Sequence, residues 1–214
     1  NKPIVRLQVP VFLCPSDVQS RVSDTFGPTN YAGCTGSGIG GGTPFEVEGI
    51  YGINSRTTPA AIRDGLSKTL MFSESILGSG PVATRSAAGL APDTGYGFVF
   101  VTPLTEAACS RPFYYNFTDL RGFSWANGEY RTTLYNHARQ PNADTFDCLA
   151  ALMTTADPAR MYAGYGWRTA RSRHPSGVNA AAADGSVHFI SDNIDADVWQ
   201  GLATRSGGEP VAIP

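Results

Sequence analysis

Three histidines, four cysteines, a C-terminal run of carboxylates and a belt of aromatic and amide side chains are the residues of this chain with chemistry to offer. His137, His174 and His188 include no i, i+4 pair, which excludes the helical two-histidine zinc motif. No G-x-S-x-G elbow is present, so a Ser/His/Asp triad has no local support. His188 alternates with Val187 and Phe189 and is expected on the opposite side of a strand, exposed or partly covered. Asp192, Asn193, Asp195 and Asp197 offer oxygen ligands of the kind Ca2+ takes. They lack the glycine and terminal glutamate of an EF-hand loop, and carboxylates in a helix's first turn also serve its dipole. Between residues 121 and 167 lie Trp125, Asn127, Tyr130, Tyr135, Asn136, Arg139, Asn142 and Trp167. Aromatic platforms with amide hydrogen-bonders suit carbohydrate, whose apolar faces stack while its hydroxyls take polar partners. Trp125, Tyr130, Tyr135 and Trp167 are the candidate platforms, with Asn127, Asn136 and Arg139 as polar partners.

The cysteines Cys14, Cys34, Cys109 and Cys148 form no C-x-x-C pair, which argues against zinc ribbons and thioredoxin-like redox sites. Four cysteines allow three pairings. Joining sequence neighbours gives Cys14–Cys34 and Cys109–Cys148, closing loops of about 20 and about 40 residues worth ~3 kcal/mol each. The even count in a chain low in charge and rich in glycine and aromatics favours such bridges and an extracellular setting.

The elements that must position these residues are short. The chain has 214 residues, net charge -2, 16% charged and 42% hydrophobic residues, 24 Gly and 15 Pro. Average soluble domains carry roughly 25% charge. The aromatic content excludes disorder, the near-neutral charge argues against nucleic-acid binding, and no apolar run reaches the ~18 residues of a membrane helix. A single Gly/Pro-punctuated domain over 1–214 is expected, with 79–94 as a loop insertion. Residues 1–17 read as extended, with Val9, Val11 and Leu13 alternating. The Gly-rich stretch 33–44 reads as a permissive surface loop, because Thr43-Pro44 does not open the helix a phosphate cradle needs. Thr58 to Gly65 reads as a short capped helix, Thr69 to Glu74 and Tyr96 to Val101 as strands, and Asp144 to Thr155 as a helix. Asp184-Gly185 between Val178–Ala183 and Ser186–Ile190 predicts a hairpin, followed by a helix capped by Ser191 or Asp192. Asn116-Phe117-Thr118 matches the glycosylation sequon.

An ordered set of motifs carries a resemblance. His174 is followed by nine residues and then Asp184-Gly185. Upstream stand Phe12-Leu13-Cys14-Pro15-Ser16-Asp17, Asn30-Tyr31-Ala32-Gly33, Asp64-Gly65-Leu66-Ser67-Lys68-Thr69 and Phe72-Ser73-Glu74. Arg121-Gly122 with Trp125, Asn136-His137 and Pro141-Asn142 complete the run. The chain resembles a large family of secreted planctomycete paralogues with prepilin-type N-termini and a C-terminal His-X9-Asp-Gly signature. Lys68 stands where that family usually has asparagine.

The resemblance implies an α+β, pilin-like head with a mainly antiparallel sheet, long Gly/Pro-rich loops and few short helices. It implies a precursor anchored in the membrane by an apolar N-terminal helix absent from this sequence, whose start at Asn1-Lys2-Pro3 looks internal to it. It implies a non-enzymatic role at the cell surface, in a pilus- or pseudopilus-like fibre whose subunits contact through that helix. The family also carries a solute-binding label, and the alternative expectation is a module for extracellular polysaccharide or another solute. Pseudopilin heads often hold Ca2+ in a C-terminal loop, which directs attention to Asp192, Asp195 and Asp197. On the residues alone, His174, Asp184 and Gly185 read as parts of a scaffold, with His174 hydrogen-bonding a neighbouring loop.

Overall fold

The computed structural model describes residues 2–78, 80, 83–116, 121–151 and 164–214. The chain folds as a mixed α+β structure with two mostly antiparallel sheets and short helices, consistent with a small pilin-like head. The first sheet is built from β1 (Tyr31–Cys34), β2 (Leu70–Glu74), β5 (Leu134–Tyr135), β8 (Gly177–Ala182) and β9 (Val187–Ser191), in the order β5-β1-β2-β8-β9. The second comprises β3 (Tyr96–Val99), β4 (Tyr114–Tyr115), β6 (Asp147–Ala151) and β7 (Gly164–Trp167), in the order β4-β3-β6-β7. Among the described residues only β1–β5 and β3–β6 pair in parallel.

The Asp184-Gly185 turn closes the β8–β9 hairpin, with Gly185 at φ +88, a conformation open to glycine. Helix α3 (Ala196–Gly201) follows, and its Trp199 packs with Ile194 and Leu202 on the inner face of the first sheet, against Val178, Ala180, Ile190, Leu70 and Tyr135. A second cluster of Leu13, Val22, Leu77, Tyr96, Phe98, Phe123, Tyr130, Leu134 and Leu149 backs the other sheet.

Several expectations are corrected. The helix expected over 144–155 is not found in its described part, 144–151: Asp147–Ala151 is β6, paired in parallel with β3. A short apolar run is ambiguous between the two periods, and the sheet partner decides it. Leu152 to Thr155 fall outside the described residues. The start of the chain is not a strand: Lys2–Val5 forms helix α1, with Pro3 in its first turn, where proline is tolerated, and Pro10–Phe12 is a single 3-10 turn. Thr58 to Gly65 shrinks to a 3-10 turn at Pro59–Ala61, without a side-chain cap. The cap of α3 is Asp195, whose Oδ1 accepts from the amides of Asp197 and Val198. The Gly-rich loop is not simply a surface loop. Gly36, Ser37 and Gly42 are buried, and Gly42 lies against the β7 backbone, so that any Cβ there would collide with the Gly166 carbonyl.

Helix α2 (Glu106–Cys109) is capped by the Thr105 side chain, which accepts from the Ala108 amide. Cys109 at its end is bridged to Cys148 of β6. Cys14 and Cys34 are buried free thiols, which overturns the expected second bridge. Burial pushes the Cys34 thiol up to about 12, so it stays protonated inside the first sheet. No helix among the described residues is long and apolar enough to cross a membrane.

Candidate functional site

Three of the residues in the resembling motifs converge in space. Cys14, from Phe12 to Asp17, Glu74, from Phe72 to Glu74, and His174 bring their polar atoms to one point. Among the described residues they are the only three such donors whose ligand atoms all lie within 4.8 Å of one another. His174 Nε2 is 3.0 Å from Glu74 Oε1 and 3.7 Å from Cys14 Sγ, and Cys14 Sγ is 3.7 Å from the same oxygen. Cys14 and Glu74 are buried, while the His174 side chain is 27% exposed. The cluster therefore opens to solvent on the histidine side.

Each donor is held by a separate piece of scaffold. The Cys14 amide donates to Asn30 Oδ1 at 2.9 Å. Asn30 Nδ2 in turn donates to Asp17 Oδ2 at 2.7 Å and to the Ser75 carbonyl at 2.8 Å. Glu74 ends β2, and its Oε2 accepts from the Asn179 amide at 2.7 Å and from Asn179 Nδ2 at 3.3 Å. Glu74 is also in register with Tyr31 across β1–β2. The Tyr31 phenol is raised by burial first, then by the neighbouring Cys14 and Glu74 charges. His174 lies in the bend before β8, its amide donating to Ser172 Oγ at 3.0 Å, and Ser172 Oγ donates to the Gly177 carbonyl at 2.7 Å. The histidine thus meets the expected neighbouring loop, at Cys14, and a strand residue as well, Glu74 of β2.

Asp184 and Gly185 belong elsewhere. The Asp184 amide donates to the Leu66 carbonyl at 3.1 Å, and Asp64 accepts from the Gly207 and Gly208 amides at 2.8 and 2.9 Å. That half of the motif set fastens the hairpin turn and the C-terminal segment and contributes nothing to the cluster.

The expected carbohydrate surface is divided among three places. Tyr130, Tyr135 and Asn136 are buried and present no face to solvent. Tyr130 OH bonds Thr35 Oγ1 at 2.8 Å, Asn136 Nδ2 donates to the Gly166 carbonyl at 2.7 Å, and Tyr135 OH donates to His137 Nε2 at 3.2 Å. Trp125 donates from Nε1 to the Leu7 carbonyl at 2.8 Å and tilts against Phe12, pinning the N-terminal segment, while Asn127 shapes the turn beneath it. Only Arg139 and Trp167 share an opening. With Glu106, Tyr115, Phe146 and the Cys109–Cys148 bridge they line a cleft of about 240 Å³.

Asp192, Asp195 and Asp197 do not converge on a shared cation position. Asp192 Oδ1 accepts from Asn142 Nδ2 at 2.7 Å, Asp195 caps α3, and Asp197 sits in its first turn. The sequon does not offer an open acceptor: Asn116 is buried and its Oδ1 accepts from the Tyr96 amide at 3.0 Å, while Phe117 and Thr118 lie outside the described residues. His188 is half-buried and bonds Ser186 Oγ at 2.8 Å, in line with its expected placement.

Sequence reasoning missed the Cys14–Glu74–His174 cluster because its members are 60, 100 and 160 positions apart. The available signal was that Cys14, Glu74 and His174 each stand in one of the motifs that carry the resemblance. No curated protein and no solved structure matches the chain. The family model described as a protein of unknown function, DUF1559 (SBP_bac_10), matches residues 1–197, and the chain belongs to that family.

Proposed function

We propose that this protein is the exported, non-enzymatic head of a pilin-like subunit, displayed at the cell surface in a pilus- or pseudopilus-like fibre. The observation that carries the reading is the Cys109–Cys148 bridge between α2 and β6. Structural disulfides form and persist in oxidising compartments, outside the cytosol. The mixed α+β architecture, with mostly antiparallel sheets and few short helices, supports it. In this reading a preceding apolar helix anchors the precursor and later joins it to other pilin-like subunits. The test is to shear surface filaments from cells that make the full-length precursor. Recovery of the disulfide-bonded protein in the filament fraction, and immunogold labelling along filaments, is expected. Recovery only as a reduced cytosolic protein would overturn the proposal.

One observation favours a second reading, an extracellular glycan-binding module. The cleft beside the disulfide sets the Trp167 and Phe146 rings near the Arg139 guanidinium, which lies 5.6 Å from the Trp167 ring centre. A stacking platform beside a cationic hydrogen-bond donor suits a sugar ring. On a glycan array, Phe146→Ala and Arg139→Ala are expected to weaken any bound glycan by on the order of 1–2 kcal/mol. Unchanged binding in both variants would remove the cleft from consideration.

A further inference from the structure

We propose that Cys14 Sγ, Glu74 Oε1 and His174 Nε2 form a three-ligand site for a Zn2+-class divalent cation, with a fourth position open toward solvent. The donor spacing carries the inference. A tetrahedral zinc ion with ordinary bond lengths sets its sulfur–nitrogen and sulfur–oxygen edges at about 3.6 Å and its nitrogen–oxygen edge at about 3.4 Å. The three atoms lie 3.7, 3.7 and 3.0 Å apart. They occupy three corners of such a tetrahedron, and a movement of a few tenths of an ångström on the histidine side completes it.

The donor chemistry selects the metal. A thiolate with an imidazole suits Zn2+, whereas Ca2+ and Mg2+ take oxygen ligands. Three protein ligands with an open corner is the pattern of sites that receive a further ligand, while closed structural sites use four. The support around the donors matches what metal sites need. Asn179 fixes the free oxygen of Glu74 with two hydrogen bonds, Asn30 fixes the Cys14 backbone, and Ser172 fixes the His174 backbone. The protons also balance. Without metal, Glu74 Oε1 accepts from the Cys14 thiol and from His174 Nε2–H. A cation entering between the three atoms displaces both hydrogens. The thiol proton goes to solvent, and the neutral imidazole changes tautomer, its proton passing from Nε2 to Nδ1.

The experiment uses the full chain without an affinity tag, titrated with Co2+ as a spectroscopic substitute and then with Zn2+. One equivalent of Co2+ should give a thiolate-to-cobalt charge-transfer band in the near ultraviolet and the visible bands of tetrahedral cobalt, both erased by Zn2+. Cys14→Ser should abolish the charge-transfer band, while Cys34→Ser and His188→Ala should retain it. By calorimetry His174→Ala should weaken Zn2+ binding by about 100-fold or more, and Asn179→Ala by about tenfold. Circular dichroism establishes that each variant is folded. If Cys14→Ser does not fold, the wild-type chain decides: bound Zn2+ must slow alkylation of Cys14, located by peptide mapping. The proposal is overturned by the absence of a charge-transfer band in the wild type, by a band that survives Cys14→Ser, or by no protection of Cys14. The cluster is then a hydrogen-bonded knot that only holds β2 to the loops around it.

Discussion

The His137 imidazole lies flat on the Trp199 indole, ring centres 3.4 Å apart and planes 3° from parallel. His137 Nδ1–H also donates to the Trp199 carbonyl, and Nε2 accepts from Tyr135 OH. The same indole donates from Nε1 to the Arg139 carbonyl at 2.8 Å. One stacked pair thus locks α3, β5 and the segment after β5 together.

This pair makes stability depend on acid. Burial lowers the His137 pKa to about 3, partly opposed by its bond to Trp199. The unfolded value is about 6.5, so between these limits the unfolded chain holds the extra proton. The stabilisation is whole above pH about 6.5 and is lost as pH falls toward about 3, at up to roughly 1.4 kcal/mol per pH unit. Denaturant unfolding of wild type and His137→Phe across this window should show a shallower loss in the variant. Parallel curves would refute the assignment.

Asp147 is a single buried carboxylate facing three buried guanidiniums. Burial alone would raise its pKa, but the Arg121, Arg171 and Arg168 guanidiniums outweigh that and hold it low. Arg121 Nε donates to Oδ2 at 3.0 Å and Arg171 Nη2 to Oδ1 at 3.3 Å. Arg168, also buried, is lowered to about 9, first by desolvation and then by the Arg121 charge. Asp147→Asn leaves buried cations without their counter-charge and is expected to cost about 3–5 kcal/mol, read from urea unfolding midpoints. A cost below about 1 kcal/mol would mean that solvent or another acid compensates.

Alkylation under denaturing, non-reducing conditions should label Cys14 and Cys34 and spare Cys109 and Cys148. The bridge spans 39 positions. Removing it as Cys109→Ala/Cys148→Ala should lower stability by about 3–4 kcal/mol on the chain-entropy account. Four labelled thiols in protein made under oxidising conditions would contradict the pairing.

Trp125→Ala should loosen the start of the chain, because the indole holds the Leu7 carbonyl and leans on Phe12. A loss on the order of 1–2 kcal/mol is expected, with faster proteolysis near Leu7. If cleavage is unchanged, the indole does not hold that segment.

What the sequence made legible were features closed by near neighbours. The Asp184-Gly185 hairpin needs only two residues to turn the chain, and β2 and β3 were visible as apolar runs. The helix expected over 144–155 failed because β6 is decided by its partner β3, some 50 residues earlier. Tyr130, Tyr135 and Asn136 looked like a binding surface because aromatic and amide side chains compose polar cores and sugar platforms alike. Cys14 was assigned a disulfide by parity, yet its neighbours in space are an acid and an imidazole. No local pattern around residue 14 or 174 announces that meeting, and only their places in the resembling motifs point to it.

The order of the chain sets when the cluster can exist. Cys14 emerges first from the ribosome, Glu74 second and His174 only near the end, so no chain that stops short of residue 174 holds all three. Contacts this distant in sequence form late in folding, after loop closure has been offset by the core. Until residue 174 arrives, the Cys14 thiol lacks the imidazole that completes the cluster. Cys14, Glu74 and His174 therefore meet only in a chain complete to residue 174, and alkylation of Cys14 during refolding is the measurement that follows their meeting.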